Sequence, residues 1–215
     1  MNVLLVVAHP DDEVLGVGGT AARHVAAGDN VVAYIAADCM SARVGGEPRL
    51  PDAALEAAKV IGLTLRFGGF GGMTLATLRD TVRNRAVEDA VRELRPEVVY
   101  THHLGDPNSD HRAMAAATMI ATRPICDGAP ARVLCFETPS STEWGWESRF
   151  EPNVFIDVTA TIGCKLNAMA CYDAELRQPP HPRSLESLRD RAAYWGQIAG
   201  VRYAEPFALM REIVR

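Results

Sequence analysis

Lysine is almost missing from this chain. Of 22 basic residues only Lys59 and Lys165 are lysines, and 27 acidic residues leave a net charge of −5. With arginine supplying nearly all the cations, the lysine shortage itself carries little weight. The lack of a basic excess or a long Lys/Arg block does, because it removes the electrostatic footprint expected for nucleic acid or an anionic membrane surface. Cysteine is sparse and unpaired. The five cysteines (Cys39, Cys126, Cys135, Cys164, Cys171) are odd in number and form no C-x-x-C pair, which argues against a disulfide framework and a thiolate zinc site. Buried, reduced thiols are expected instead. No apolar run approaches the ~18 residues of a membrane span, and no basic leader or cleavage site precedes the first apolar run. A soluble cytoplasmic protein is the expectation. A dinucleotide loop is also lacking: Gly16-Val-Gly18-Gly19 falls inside a helical pattern, past the point where a G-x-G-x-x-G turn ends. Those small residues suit close packing of a helix on a sheet.

What is present is enough apolar residue for a full core, 48% of 215 residues, read as one domain over 1–215. Short apolar, β-branched runs recur at Val3–Val7, Val31–Ala36, Leu63–Phe67, Val98–Thr101, Val133–Phe136 and Val154–Val158, each the length of a buried strand. Between them Val14–Ala27, Ala53–Ile61, Leu75–Leu94 and His111–Ala121 space their apolar residues by three and four, with Gly28, Gly62 and Pro96 at or beyond their ends. The alternation predicts an α/β, Rossmann-like fold, a mostly parallel sheet with helices on both faces. Past Phe136 the pattern is less regular. Glu137–Glu151 and Gln178–Ser184 read as loops over one face, with Trp144 and Trp146 exposed, and Leu185–Ala199 reads as a late helix.

The most informative stretch is Ala8-His-Pro-Asp-Asp-Glu13, directly after the first apolar run. Burying unpaired carboxylates costs several kcal/mol each unless a cation or hydrogen bonds compensate. An aspartate here can cap the next helix, but a cap needs one such residue, not a histidine, two aspartates and a glutamate together. His9 and Asp12, three apart in a strand-to-helix turn, can point at one centre, while Asp11 points elsewhere. Imidazole nitrogen with carboxylate oxygen suits Zn²⁺, and three protein ligands with an open position describe a catalytic site. Fe²⁺ or Co²⁺ can also fill such a set. The third ligand is expected from His102-His103-Leu-Gly-Asp106-Pro-Asn108-Ser-Asp110-His111, which follows another strand to the same sheet edge. His111, opening a helix, is the choice.

These residues resemble the PIG-L/LmbE-like N-acetylglucosamine deacetylases. The likeness runs through Ala8–Glu13, Leu15-Gly-Val-Gly-Gly-Thr20, Tyr100-Thr-His-His and Asp106 to His111. Later, Glu137-Thr-Pro-Ser-Ser-Thr-Glu-Trp144, Pro152-Asn153, Pro180-His-Pro-Arg-Ser184 and Tyr203-Ala-Glu-Pro-Phe207 look like one bacterial branch. The resemblance implies Zn²⁺ on His9, Asp12 and His111, with Asp11 as general base, and removal of an acetyl or other small acyl group from an amino sugar, nucleotide sugar or sugar conjugate. Its alternatives are an amidase on a larger sugar conjugate and a noncatalytic sugar- or nucleotide-binding module. One position departs from the family: a histidine expected three residues before the last ligand is Asn108, which can donate a hydrogen bond but cannot shuttle a proton. Asp11 then serves as both base and acid, or His181 or His102 helps. Arg43, Arg49, Arg66 and Arg183 are candidates to clamp a phosphate, and Trp144 or Trp146 to stack on a sugar, with His102 also placed at the substrate. The partner is thus a small N-acyl sugar or nucleotide sugar, with a homo-oligomer left open.

Overall fold

The apolar runs lie side by side in one sheet. The computed structural model describes residues 1–37, 50–71, 74–146 and 148–214. In chain order its elements are β1 (Asn2–Val7), α1 (Asp12–Ala26), β2 (Asn30–Ala37), α2 (Leu50–Ile61), β3 (Thr64–Phe70), α3 (Asp80–Leu94), β4 (Val98–His102), α4 (Ser109–Ala121), β5 (Arg132–Phe136), β6 (Val154–Asp157), α5 (Ile162–Ala170), α6 (Leu185–Ala199) and β7 (Ala204–Glu212). The seven strands run in the order β3-β2-β1-β4-β5-β7-β6. The first five are parallel, and β7 pairs antiparallel with both neighbours. Helices α3 and α4 pack against each other on one side, while α1, α2, α5 and α6 form the other layer. The sheet is therefore covered on both faces, as the alternating pattern predicts. Among the described residues, no helix is long and apolar enough to cross a membrane.

This connectivity decides where a site can form. The chain leaves β1 outward to β2 and β3, then returns to β4 beside β1 and proceeds the other way to β5. At such a reversal the turns beyond the carboxyl ends of the strands splay apart and open a crevice. The turn after β1 carries His9 to Asp12, and the one after β4 leads to His111.

Helix α1 lies close on the sheet because its inward positions are glycines. A Cβ on Gly16 would sit 2.2 Å from the Phe136 ring, and one on Gly19 would sit 2.9 Å from Val158 Cγ1. A buried pair braces the same helix: Glu205 accepts from the backbone N–H groups of Gly19 at 2.9 Å and Thr20 at 2.7 Å, and from Lys165 Nζ at 2.5 Å. Lys165 also donates to the Leu15 carbonyl at 2.9 Å. Gly16→Ala is therefore expected to destabilise the protein by about 1–3 kcal/mol, the usual range for overpacking. Urea unfolding of the metal-free protein reads this directly, and an unchanged midpoint would contradict the close approach.

Several local expectations need correction. Helix α5 and strand β7 have no counterpart among the expected elements. Leu75–Leu94 divides into a 3-10 turn at Leu75–Thr77 and α3, because Leu78 and Arg79 are extended. Of the four described cysteines only Cys135 is fully buried, while Cys126, Cys164 and Cys171 are half-buried. Arg43, Arg49 and Cys39 lie outside the described residues.

Candidate metal centre

The turn after β1 is held by its own side chains. His9 N–H donates to Asp12 Oδ2 at 2.9 Å, which fixes the Asp12 carboxylate under the histidine. Asp11 occupies the helix N-cap position but makes no side-chain capping bond, so capping does not account for its carboxylate. Its backbone has φ 102°, a conformation that costs an L-residue on the order of 1–3 kcal/mol and persists only where the surroundings impose it. Here they do. Asp11 N–H donates to Glu13 Oε2 at 3.1 Å, the Asp11 carbonyl accepts from Val14 and Leu15 at 3.0 and 2.8 Å, and Tyr172 OH donates to Glu13 Oε1 from below.

Across the crevice, α4 starts at Asn108, whose Oδ1 caps it by accepting from Asp110 N–H at 2.9 Å. His111, in the first turn, thus faces Asp12. Donor atoms of His9, Asp12 and His111 all lie within 4.8 Å of one another. Asp12 Oδ2 is 3.4 Å from His9 Nδ1, and Asp12 Oδ1 is 3.5 Å from His111 Nε2.

The remaining ring nitrogens are already committed. His9 Nε2 meets Asp110 Oδ2 at 3.1 Å, and Asp110 Oδ1 is itself fixed by Ala76 N–H at 2.7 Å. His111 Nδ1 meets Asp106 Oδ1 at 3.1 Å, with Asp106 held by Ser141 Oγ and Thr142 Oγ1, both at 2.5 Å, and by Asn108 N–H at 2.9 Å. A carboxylate behind each imidazole fixes the tautomer and raises the basicity of the nitrogen facing the centre, the usual support of a metal-binding histidine. The donor set of two imidazoles and one carboxylate, with this backing, fits a divalent transition metal. Asp106→Asn or Asp110→Asn is expected to weaken metal affinity by about 10–100-fold. Competition with a chromogenic chelator measures this, and unchanged affinity in both variants would contradict the assigned backing role.

The electrostatics without an ion fit the same reading. Burial opposes ionisation of Asp12, yet His111, His102 and His9 hold its carboxyl well below the ordinary range. Burial also disfavours a charged His9, but its bonds to Asp110 and Asp12 push it up to about 10. Asp11 behaves oppositely: burial and the neighbouring Asp12 charge raise it well above the usual range, against the pull of Arg183.

His102 is enclosed by protein, with its Nε2 3.4 Å from Asp12 Oδ2. It is fully buried, stacked on His111 at 4.1 Å and 10°. Ala8 N–H donates to its Nε2 at 3.0 Å, and Thr138 Oγ1 lies 3.0 Å from its Nδ1. Burial and the neighbouring His111 push it down to about 3, so it stays neutral and supports the His111 ring as a packing partner. The expected roles in substrate binding and as a catalytic acid are both corrected. Arg183 does reach the site, but its Nη1 is engaged by Asp11 Oδ2 at 3.1 Å and Glu175 Oε2 at 2.5 Å, with Nε on Ser140 Oγ at 2.7 Å. It orients Asp11 and is not a free phosphate clamp. Arg66 lies away from the site in β3, paired with Glu93 at 2.5 Å.

Among the described residues, the hydrogen bonds of His181 stay within its own loop. Its Nδ1 accepts from Arg183 N–H at 3.1 Å, and burial with the Arg183 and Arg177 charges lowers its pKa. Trp144 is half-exposed. Reading the residues singly missed the orienting parts played by Asp106, Asp110, Glu13, Tyr172 and Glu175. For Asp106 and Asp110 a signal existed, since both flank His111 within about one helical turn.

Known proteins are similar to this chain in fold and sequence. A conserved protein of Thermus thermophilus, TT1542, superposes with a TM-score of 0.81 at 26% identity, covering 99% of this chain and 96% of that one. A diacetylchitobiose deacetylase of Thermococcus kodakarensis is 24% identical over 218 residues, 95% of this chain and 81% of that protein. A 4-oxalmesaconate hydratase of Pseudomonas putida is 29% identical over 199 residues, 79% of this chain and 72% of that protein. The family model described as PIG-L: GlcNAc-PI de-N-acetylase matches residues 4–122, the span from β1 to the end of α4 that contains His9, Asp11, Asp12 and His111. More than half of the chain, including both turns that meet at the crevice, thus follows one family pattern, and the protein belongs to the PIG-L family.

Proposed function

We propose that the protein is a metal-dependent N-deacetylase that hydrolyses the acetamide of an amino sugar or sugar conjugate. The convergence of His9, Asp12 and His111 donor atoms within 4.8 Å, beside an Asp11 carboxyl that belongs to neither the triad nor a helix cap, carries this reading. A divalent ion such as Zn²⁺ on these three residues supplies a water acidified toward neutrality and a Lewis acid for the acyl oxygen. Asp11 takes a proton from the attacking water as its oxygen bonds to the carbonyl carbon. Arg183 and Glu13 keep the Asp11 carboxyl and backbone in place for that transfer. The C–N bond breaks only when nitrogen leaves as a neutral amine, so the proton on Asp11 is delivered to nitrogen, giving the free amine and acetic acid, which then ionises to acetate. Asn108, its Oδ1 used by the helix cap, retains Nδ2 as a donor toward the acyl oxygen.

Burial and the Arg183 and Arg177 charges lower the His181 pKa and so disfavour its cationic form, and the acid role is assigned to Asp11. His181→Ala is expected to change kcat by less than about tenfold, below the ordinary contribution of a general acid, with the same pH–rate profile. Loss of one limb of that profile would return His181 to the chemistry. The match to the hydratase favours a second reading, addition of water to a conjugated double bond of a carboxylate substrate. Such an anion needs cationic partners, whereas Arg183 and Arg191 each face two carboxylates. Incubating the zinc-loaded protein with N-acetyl sugars and with unsaturated dicarboxylates separates the two, by acetate release in the first case and loss of alkene absorbance in the second.

A further inference from the structure

The turn that carries Asp11 is steadied by a segment far along the chain. Asp11 stands at φ 102°, a backbone conformation that an L-residue keeps only under outside constraint, and the constraint comes from two directions. On the backbone side, Asp11 N–H donates to Glu13 Oε2 at 3.1 Å, and Glu13 Oε1 accepts from Tyr172 OH. On the carboxylate side, Asp11 Oδ2 accepts from Arg183 Nη1 at 3.1 Å, and the same Nη1 donates to Glu175 Oε2 at 2.5 Å. With Oδ2 engaged, Oδ1 is the oxygen left to carry the proton, and its direction follows from these two sets of bonds.

Tyr172 and Glu175, the outer members of the two sets, stand on one short turn after α5. Glu175 N–H donates to the Tyr172 carbonyl at 2.9 Å and Leu176 N–H to the same oxygen at 3.1 Å, which closes the turn. Its footing is firm. Tyr172 N–H donates to the Met169 carbonyl at 3.0 Å, and the ring is fully buried in the core. Helix α5 in turn packs on α1, whose first residues are Asp12 and Glu13. A buried hydroxyl needs a partner, and a backbone carbonyl would satisfy that need. The partner here is instead the carboxyl whose other oxygen fixes Asp11.

We infer that residues 172–176 form a mount for the proton carrier: Tyr172 positions the Asp11 backbone through Glu13, and Glu175 positions the Asp11 carboxylate through Arg183. Both are positioning residues, each acting on Asp11 through an intermediate side chain. The inference rests on the role proposed above for Asp11 and adds what sets its aim. A misplacement of about 1 Å at a reacting group can cost about 10²-fold in rate, so the turn bears on catalysis although it lies beyond residues 4–122, the span that follows the family pattern. Asp12 is held separately, by His9 N–H at 2.9 Å. The mount therefore governs the proton carrier and not the metal ligands.

Two substitutions test it. Tyr172→Phe keeps the ring and removes the hydroxyl, and Glu175→Ala removes a carboxylate from a half-buried position. In the zinc-loaded protein each is expected to lower kcat about tenfold, within the range for a slightly misplaced reacting group, with KM and zinc affinity at native values. In metal-stripped protein, amide exchange followed by NMR should show Asp11 N–H exchanging about tenfold faster in Tyr172→Phe, the scale of one buried hydrogen bond, with the β1 amides as protected as in the native protein. Combined with Asp11→Asn, neither substitution should lower the residual rate further, since residues that act through one group are not additive. Native kcat in either variant, native Asp11 exchange in Tyr172→Phe, or a further fall in the Asp11→Asn background would overturn the mount. Glu175→Ala decides the matter alone if Tyr172→Phe does not fold. Acetate release at the native rate by both variants removes the mount and keeps the deacetylase reading. No acetate from the native protein, with faster Asp11 exchange in Tyr172→Phe, keeps the mount and removes that reading.

Discussion

Asp11→Asn is expected to lower kcat for acetate release by about 10²–10⁴-fold, the range for loss of a positioned proton carrier, while the protein still binds its metal ion. Asparagine has nearly the shape of aspartate and can still accept from Arg183 Nη1, which lies 3.1 Å from Asp11 Oδ2 in the native protein. The bonds that hold the turn use the Asp11 backbone and Glu13, not the Asp11 carboxylate. The fold and the triad therefore survive the change, and only the proton acceptor is lost. Metal content by mass spectrometry, with steady-state rates on the same sample, separates a catalytic from a binding defect. A variant with normal metal content and normal turnover would remove Asp11 from the mechanism.

His111→Ala should act on the ion itself. One of three protein donors is gone, so affinity is expected to fall by more than the about 100-fold ceiling for losing an outer carboxylate, and turnover should fall to background at stoichiometric zinc. The residues behind His111 are buffered against the loss. Asp106 keeps its bonds from Ser141, Thr142 and Asn108 N–H, and His102 keeps those to Ala8 N–H and Thr138. The protein should thus remain folded by circular dichroism while failing to retain zinc in equilibrium dialysis. Zinc retention at native affinity would exclude His111 from the ligand set.

The parts of this molecule legible in its sequence are those with a local signature. Parallel strands buried on both faces are continuous apolar runs, so β1, β2, β4 and β5 can be located within a residue or two. Strand β7 is hidden by Pro206, a residue that reads against a strand and is accommodated here because it pairs with β6 alone, the pairing with β5 starting at Phe207. Helix α5, nine residues with Gly163 and Lys165 inside it, is too short to display a clear period. In the candidate site, His9, Asp12 and His111 are legible because two short motifs each follow a strand to the same sheet edge. The Arg183–Asp11 bond joins residues 172 apart, and the Tyr172–Glu13 bond joins residues 159 apart. Nothing in a local pattern specifies such pairs, and they explain why the phosphate clamp expected of Arg183 gives way to an orienting role. The placement of His102 at the substrate fails for a related reason. A histidine ending a strand at the site edge faces outward or inward according to strand register, and here it points into the core beneath His111.

A zinc titration of metal-stripped protein, followed by acetate release from a panel of N-acetyl sugars and their conjugates, tests the proposed chemistry most directly. With one ion on His9, Asp12 and His111 and Asp11 carrying the proton, acetate release should be absent from the stripped protein. It should then rise linearly with added zinc to a break at about one equivalent, as a single three-ligand site with an open position requires. Acetate release by stripped protein in excess chelator, or no release at any zinc level, would contradict the proposal.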